Sequence, residues 1–414
     1  MALPPQTPDT KAPAVTLDAL VAEVLERNPE LAFYRAEIAA ATGERQTAGG
    51  FANPEVGSAI GNKRVSLGPL VSDGLVWSVS VKQTFEWPGR IPLRKAIADQ
   101  QIKLAELGLA QFQAALGARA RTLAFNVFAT HEKSAAAREV AERFQALREV
   151  LVQRDPAGLT PVLETRIIEA TELTLRRRAT EASLAEQGAR LELNQLRGQP
   201  WEQALRIEAP TLVFPPFSGT EPFLAAARAN NFEIRMRRAE LEQQGFRVTL
   251  AGKERHPSFT VEPYFSQERT GDKETQLGIA LSIPLPAWNR GAGRMATEEA
   301  RRLQAETSLQ VAQRNLERRV IESALAYETR LGEMARWRPD SVRQFKDAAA
   351  VADRHYRLGA VPIATYVELQ KQYLDAVDAL LSTRLETLEA SQELERLTGV
   401  ALNKLHAAAP AGQK

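Results

Sequence analysis

Two similar helix openings lie about half the chain apart. NPELAFYRAE begins at Asn28 and NFEIRMRRAE begins at Asn231, 231 − 28 = 203 positions later in a chain of 414 residues. Asn is a favoured helix N-cap, and Pro29 suits the first helical position. Further matches keep the same order: Asn53-Pro54 with His256-Pro257, GLTP at 158 with GAVP at 359, and QLRG ending at 198 with RLTG ending at 399. Ordered matches at nearly constant offset predict a tandem duplication of about two hundred residues.

Each half has the same predicted order of elements. A short helix leads through the Asn cap into a second helix, then a β-hairpin, a very long helix, a Gly break and a further long helix. We expect a flexible Pro-rich leader, a first repeat, an extended connector, a second repeat and a tail, at residues 1–14, 15–200, 201–220, 221–401 and 402–414. The expected hairpins lie at about 54–86 and 257–285, and the long helices at about 91–154, 159–198, 293–356 and 361–398. Pro339 should kink or break the third of these helices.

The long helices are the dominant feature. From Leu93 to Arg154 there is no Pro, and apolar residues recur within groups at steps of three, four and seven. A helix of roughly 60 residues at 1.5 Å each would be about 90 Å long. Such helices need neighbours on both flanks, as in a bundle or a ring.

The hairpin regions alternate apolar and polar residues, which is the strand pattern. The apolar positions are Leu75, Trp77, Val79 and Val81 in the first half and Leu277, Ile279, Leu281 and Ile283 in the second. One interpretation is a soluble four-stranded sheet packed on a helix. The other is a set of transmembrane strands with interfacial aromatic residues near the strand ends, namely Phe85, Trp87, Tyr264, Phe265 and Trp288. Four strands are too few to close a barrel in lipid, so the chain would pool strands with copies of itself.

Composition excludes several classes of protein. The net charge of +2 gives no footprint for nucleic acid, and the absence of Cys excludes disulfides and thiolate sites. No run approaches the roughly 18 apolar residues of a membrane-spanning helix, and the N-terminus lacks the regions of a signal peptide. No catalytic motif is present, and His131, His256, His355 and His406 form no ligand pattern. We therefore expect neither an enzyme nor a cofactor or metal site.

The order of these elements resembles the TolC-like outer membrane efflux family. The resemblance runs from about Val15 to Ala401 and is carried by NPEL followed by ANPEV, by TFEWPGR paired with SIPLPAWNRG, and by YRLGAVPIATYVELQKQYLDA. It implies a mainly α protein with a transmembrane β-barrel. In that architecture, three chains supply 3 × 4 = 12 strands to one barrel, which continues into a long α-helical barrel. The implied location is the bacterial outer membrane, extending into the periplasm, with outer membrane lipid around the strands.

The resemblance also implies partners at the helix breaks. In the family these breaks form periplasmic tips where the adaptor of an inner-membrane pump, here expected to be of the RND type, docks. The corresponding residues are Arg154, Gly158, Arg357, Leu358 and Gly359. The alternative is that the Gly and Pro residues only form the turns between helices.

The family tends to place carboxylates beyond the tip Gly, where they form an acidic ring at the pore constriction. This chain has Glu164 and Glu368 in that region, so the family's Asp pattern is only half kept. Three copies would supply six carboxylates, enough to favour cations. A solvated glutamate on a helix face is the alternative for either residue.

The resulting hypothesis is the exit duct of a tripartite efflux system, through which substrate passes passively. The short hairpins and the FEWPGR exit look most like the CzcC-like heavy-metal cation branch. A drug or protein exporter of the same fold is the first alternative. A soluble coiled-coil scaffold, with the strand faces packed against helices, is the alternative of another class.

Overall fold

The computed structural model describes residues 14–67, 70–154, 162–270, 272–338 and 340–408. The chain is mainly helical. In order, its elements are β1 (Ala14–Val15), α1 (Leu17–Arg27), α2 (Glu30–Ala48), β2 (Glu55–Leu67), β3 (Leu70–Phe85), α3 (Arg90–Arg154), α4 (Val162–Leu196), β4 (Arg206–Ile207), α5 (Glu221–Asn230), α6 (Phe232–Lys253), β5 (Phe259–Thr270), β6 (Asp272–Ser282), α7 (Ala292–Ala335), α8 (Ser341–Arg357), α9 (Ile363–Thr398) and α10 (Leu402–Ala408).

The chain divides into two units. Unit 1 is formed by residues 1–32, 110–231 and 314–414, and unit 2 by residues 33–109 and 232–313. Among the described helices, none combines the length and the apolar character needed to cross a membrane.

Unit 1 has a helical core built by α3, α4, α8 and α9. The helical spacing of apolar residues places Phe125 and Phe144 of α3 on a buried face, where both are fully inaccessible to solvent. Ile168 of α4 and Tyr366 of α9 are buried equally completely. The parallel pair β1 and β4 adds a two-stranded sheet to this unit.

Two helix junctions in unit 1 have matching geometry. The helices α4 and α9 are each followed by a Gly in the left-handed region, Gly198 with φ of 65° and Gly399 with φ of 68°. Such a φ favours Gly at the end of a helix. Close to each Gly, an Asn side chain that follows a short helix, Asn28 after α1 or Asn231 after α5, donates to a carbonyl near the end of the long helix.

Unit 2 contains a four-stranded antiparallel sheet in the order β2-β3-β5-β6. The two hairpins have equivalent registers, since Gly57 pairs with Ser80 in the first and Thr260 with Ser282 in the second. The strands β3 and β5 join the hairpins, with Ser80 opposite Tyr264. Strands from the two halves of the sequence thus form one sheet.

The strands run almost to the ends of the hairpins, with Leu67 paired to Leu70 in the first and Thr270 paired to Asp272 in the second. Near these hairpin ends, charged side chains pair across strands: Arg64 with Asp73 at 3.6 Å, and Lys63 with Glu268. Tyr264 and Phe265 lie in the middle of β5. The prediction that these two aromatic residues lie near a strand end was wrong.

The helix expected at about 293–356 is two helices. α7 ends at Ala335 and α8 begins at Ser341. The break falls where Pro339 was expected to interrupt the helix, although Pro339 itself lies outside the described residues.

Candidate functional site

The four-stranded sheet exposes one apolar face. Ile60 of β2 is 79% exposed, and Leu277 of β6 is 84% exposed. The other large exposed side chains of this face include Val56, Leu75, Val79, Val81, Ile279 and Leu281. The cross-strand pairs Val56 with Val81 and Phe265 with Leu277 place these residues on the same side. An exposed patch of this extent indicates a surface that contacts another molecule or a membrane.

The opposite face of the sheet carries small and polar side chains together with Tyr264, which pairs with Ser80 and Gly278. It carries Ser78 and Ser80 on β3 and Gly278, Ala280 and Ser282 on β6. Because side chains alternate along a strand, these residues point away from the apolar face. The two faces of the sheet therefore differ in polarity.

The predicted interfacial aromatic residues occupy three different settings. At the end of β3, Phe85 stacks on Phe259 with ring centroids 5.4 Å apart, and Trp87 stacks on His256 at 4.8 Å. In mid-strand, Phe265 packs against Trp77 at 5.3 Å.

Tyr264 lies across Gly278, where a Cβ atom would come within 2.6 Å of its hydroxyl oxygen. Trp288, in the irregular segment after β6, is 99% exposed. The five residues do not form one girdle within a single chain.

The predicted tip residues that the structure describes lie at the end of α8. Arg357 forms an ion pair with Asp353 at 3.0 Å. Leu358, the C-cap of α8, is 76% exposed, and Gly359 follows with φ of 72°. Arg154 is the last residue of α3, and Gly158 lies outside the described residues. The left-handed Gly359 ends the helix and leaves Leu358 on the surface.

The two candidate acidic residues have different surroundings. Glu164 is half-buried in the first turn of α4, and burial together with the charge of Glu164 raises the pKa of Tyr356. Glu368 is exposed on α9 and accepts a hydrogen bond of 2.7 Å from the Gln372 amide. A negative charge near a helix N-terminus, as at Glu164, is also favourable for the helix itself.

A buried aromatic and ionic cluster near the tip was not predicted. The Tyr366 hydroxyl donates to Asp353 at 3.1 Å, and the Tyr366 ring stacks between Phe144 at 5.0 Å and Tyr356 at 5.2 Å. Burial first, and then the charge of Asp353, raises the pKa of Tyr366 far above the ordinary tyrosine range. The cluster joins residues of α3, α8 and α9, which are far apart in the sequence, so no local sequence pattern predicts it.

A second unpredicted feature is a buried carboxylate. The side chain of Glu172 on α4 is only 2% exposed, and its oxygens lie 3.0 Å from Arg148 and 2.9 Å from Arg176. Both arginines reach solvent. The pairing attaches α4 to α3 through a charge that would be costly to bury alone.

Within the described ranges, no group of three or more His, Asp or Glu side chains is placed to hold a metal ion.

Comparison with solved structures shows where this fold occurs. The Campylobacter jejuni CmeC outer membrane channel matches with a TM-score of 0.75 and 14% identity, over 92% of this chain and 85% of that one. CusC, whose structures were described in connection with transmembrane channel formation, matches with a TM-score of 0.72 and 12% identity, over 97% of this chain and 99% of that one. The open state of the Neisseria gonorrhoeae MtrE outer membrane channel matches with a TM-score of 0.70 and 16% identity, over 93% of this chain and 89% of that one. No curated protein matches the sequence.

The chain therefore has the fold of outer membrane channels, and the predicted TolC-like resemblance is confirmed at the level of fold. A model of the Outer membrane efflux protein family matches residues 223–400, from α5 through α9. The matched family and structures are outer membrane channels and not enzymes, in agreement with the prediction that the chain is not an enzyme.

Proposed function

We propose that the chain is the outer-membrane exit duct of a tripartite efflux system. Three copies would form a 12-stranded transmembrane β-barrel that continues into an α-helical barrel in the periplasm. The observation that carries the proposal is the sheet with one exposed apolar face, one polar face and two open edges.

The open edges argue for several copies. In the described part of the chain, β2 and β6 each pair on one side only. An unpaired edge leaves backbone N–H and C=O groups without partners, which hydrocarbon does not tolerate. Joining β6 of one copy to β2 of the next removes every edge. Apolar side chains would then face lipid, and the small polar side chains would face the lumen.

Two helices of unit 1 also have exposed apolar positions suited to neighbouring copies. On α4 these are Leu173, Leu184 and Leu191. On α7 they are Ile321 and Leu325. Within each helix the residues recur at helical spacing and lie on one face. A ring of copies would cover both faces.

We also propose that the chain is a tandem duplication with the repeat boundaries given above. Three observations support it: the equivalent hairpin registers, the left-handed Gly198 and Gly399, and the hydrogen bonds of Asn28 and Asn231. Chance similarity of helical sequences does not predict the same hydrogen bond at both places.

The tips are proposed as the adaptor-binding ends. Leu358 is an exposed apolar residue beside Arg357, and protein interfaces have apolar centres and are enriched in Arg. Arg154, Gly158 and Gly359 complete the proposed contact region. The pump behind the adaptor is proposed to be of the RND type.

Glu164 and Glu368 are proposed as the acidic constriction. A trimer would have six of these carboxylates, and their negative charge would favour cations.

Heavy-metal cations are the proposed cargo, because of the resemblance to the CzcC-like branch. Drug or protein export by the same fold is the alternative. Deletion of the protein should then sensitise cells to divalent metals and leave resistance to dyes and detergents unchanged, whereas the reverse pattern would favour the alternative.

Electron microscopy and conductance test the channel directly. Detergent-solubilised protein should form a long particle with three-fold symmetry and should conduct ions in a planar bilayer. A monomer that stays in solution without detergent and does not conduct would contradict the channel and favour the coiled-coil scaffold. That scaffold already conflicts with the exposure of the strand faces, which it expects to be packed against helices.

A further inference from the structure

Trp87 marks the junction at which the two halves of the chain meet. Its ring stacks on His256 at a centroid distance of 4.8 Å and an interplanar angle of 20°. Arg90 reinforces the junction by donating to the Ser258 hydroxyl at 3.0 Å and to the His256 carbonyl. The exit of β3 in the first half is thereby fixed to the entrance of β5 in the second half.

Trp288 lies one residue before the place equivalent to Trp87 in the second half, 288 − 87 = 201 positions along the chain, and has no such stacking partner among the described residues. Both tryptophans follow the last strand of a hairpin. Trp87 comes two residues before Gly89, with φ of 94°, and Trp288 comes three residues before Gly291, with φ of 70°. Trp288 is 99% exposed because β6 is an edge strand, so no strand entrance lies beside it. The Trp288 ring is therefore available for stacking, but the described part of this chain offers no side chain for it to stack on.

We propose that β6 of one copy pairs with β2 of a neighbouring copy in the register of β3 with β5, and that Trp288 stacks on Asn53 and Pro54 of that copy. Asn53 and Pro54 stand where His256 and Pro257 stand, 256 − 53 = 203 positions earlier, and both are exposed. The inference rests on the proposed ring of copies. It adds the residues that meet and the register in which they meet.

The register follows from the hairpins. Gly57 with Ser80 and Thr260 with Ser282 are equivalent pairs, which relates the first strands by 260 − 57 = 203 and the second strands by 282 − 80 = 202. Between the halves, Ser80 pairs with Tyr264. Applying the same offsets places Ser282 of one copy opposite Gly61 of the next.

The burial pattern agrees with this register. Ile60 belongs to the exposed apolar face of β2, and Leu281 to that of β6. With Ser282 opposite Gly61, Ile60 and Leu281 fall on the same side of the joined sheet. A slip by one residue would turn one of the two strands over and place its apolar residues on the polar face. The register that equivalence predicts is thus also one that keeps the face continuous.

Disulfide trapping tests the pairing directly, because the chain has no Cys of its own. Ser282→Cys with Gly61→Cys places two thiols on opposed residues of an antiparallel pair, within the range that a disulfide spans. A Cβ at position 61 has no atom within 4 Å in the chain, so the substitution is accommodated. The matched control is Gln276→Cys with Gly61→Cys, which keeps the face but displaces one thiol by six residues, about 20 Å.

Mild oxidation of outer membranes should convert the first variant into covalent dimers and trimers on a non-reducing gel, and a reductant should reverse them. The control and the single variants should stay monomeric. Equal cross-linking of both double variants would overturn the register. A three-fold assembly that fails to cross-link in the first variant would overturn the register and leave the proposed function standing. A protein that remains monomeric by size, with or without oxidant, would overturn both.

Trp288→Ala tests the stacking contact separately. We expect it to lower the temperature at which the assembly dissociates by several degrees and to leave cross-linking possible. Trp201→Ala removes an exposed tryptophan that lies in unit 1 rather than in unit 2, and it should leave that temperature unchanged. Equal effects of the two substitutions would overturn the assignment of Trp288 to the contact.

Discussion

The Asn28 side-chain amide donates a hydrogen bond of 3.0 Å to the carbonyl oxygen of Leu196. The same side chain accepts a 2.9 Å bond from the Glu30 backbone N–H, so it caps α2 and also holds the end of α4. Asn231 donates to the carbonyl of Leu397 at 2.8 Å in the second half. Both side chains are buried. These paired contacts make each Asn a connection between distant parts of unit 1.

Replacing either Asn by Ala should destabilise the protein. Asn28→Ala and Asn231→Ala each leave a buried carbonyl without its donor, which costs about 1–3 kcal/mol. Asn230→Ala, which removes a bond to Ala226 within one helix, should cost less. Thermal unfolding of the solubilised protein measures the difference. A loss at Asn230 as large as that at Asn231 would contradict a special role for the long-range bond.

The buried carboxylate should also matter for stability. Glu172→Gln keeps the volume but removes the charge between Arg148 and Arg176, and we expect a loss of about 1–3 kcal/mol. The two arginines reach solvent, which limits the loss. Glu169→Gln in the same helix breaks an exposed pair with Arg166 and should cost less than about 1 kcal/mol. Denaturant titration of both variants would show whether burial sets the difference.

The pair of His131 and Glu186 should give a pH-dependent contribution to stability. Their side chains are 2.8 Å apart, and the hydrogen bond to Glu186 raises the pKa of His131. Burial alone would raise the pKa of Glu186, but its hydrogen bond and attraction to His131 lower it.

A raised His pKa stabilises below the unfolded value of 6.5 and loses its effect as pH rises through the folded value. A lowered Glu pKa stabilises above the unfolded value of 4.5 and loses its effect as pH falls through the folded value. The contribution is therefore largest between these two unfolded values.

Melting curves of His131→Gln check this window. The wild type should exceed the variant most at pH 5 to 6, by less than about 1 kcal/mol because His131 is half exposed, and least at pH 8. His355→Gln controls for the loss of a histidine elsewhere in unit 1. A difference between wild type and His131→Gln that grows above pH 7 would contradict the assignment.

Local patterns located much of the secondary structure because their causes are local. The alternating residues Leu75 to Val81 lie within β3, and the apolar positions Leu116 and Phe144 are buried on α3. Asn28 caps α2 as its sequence position indicates. In each case the residue type and its near neighbours determine the structure.

Features that depend on distant partners could not be predicted in the same way. Near the hairpin ends, Arg64 meets Asp73 and Lys63 meets Glu268 across strands, and the second pair joins the two halves of the sequence. From its sequence neighbours alone, Glu172 would be assigned to the solvated face of α4. It is buried because α3 packs against it. Among the candidate site residues, Glu164 and Glu368 stay predictions, because a constriction depends on how several copies are arranged.

The hydrogen bond between Tyr366 and Asp353 joins α9 to α8. Tyr366→Phe keeps the stacking with Phe144 and Tyr356 but removes the 3.1 Å hydrogen bond, which should cost about 0.5–1.5 kcal/mol. Asp353 remains paired with Arg357, so no buried charge is left alone. Phe144→Ala, which empties a fully buried position, should cost about 3–5 kcal/mol.

The difference between wild type and Tyr366→Phe should stay constant from pH 6 to pH 9. The raised pKa keeps the hydroxyl protonated in the folded protein, and this stabilisation declines only above the unfolded tyrosine value of 10, where the unfolded chain loses its proton. Hydrogen exchange at the C-terminal end of α8 and the N-terminal end of α9 would locate the effect, because the bond joins these two helix ends. If the phenylalanine variant lost stability throughout the chain but kept slow exchange at these ends, the hydrogen bond would not be what holds α8 to α9.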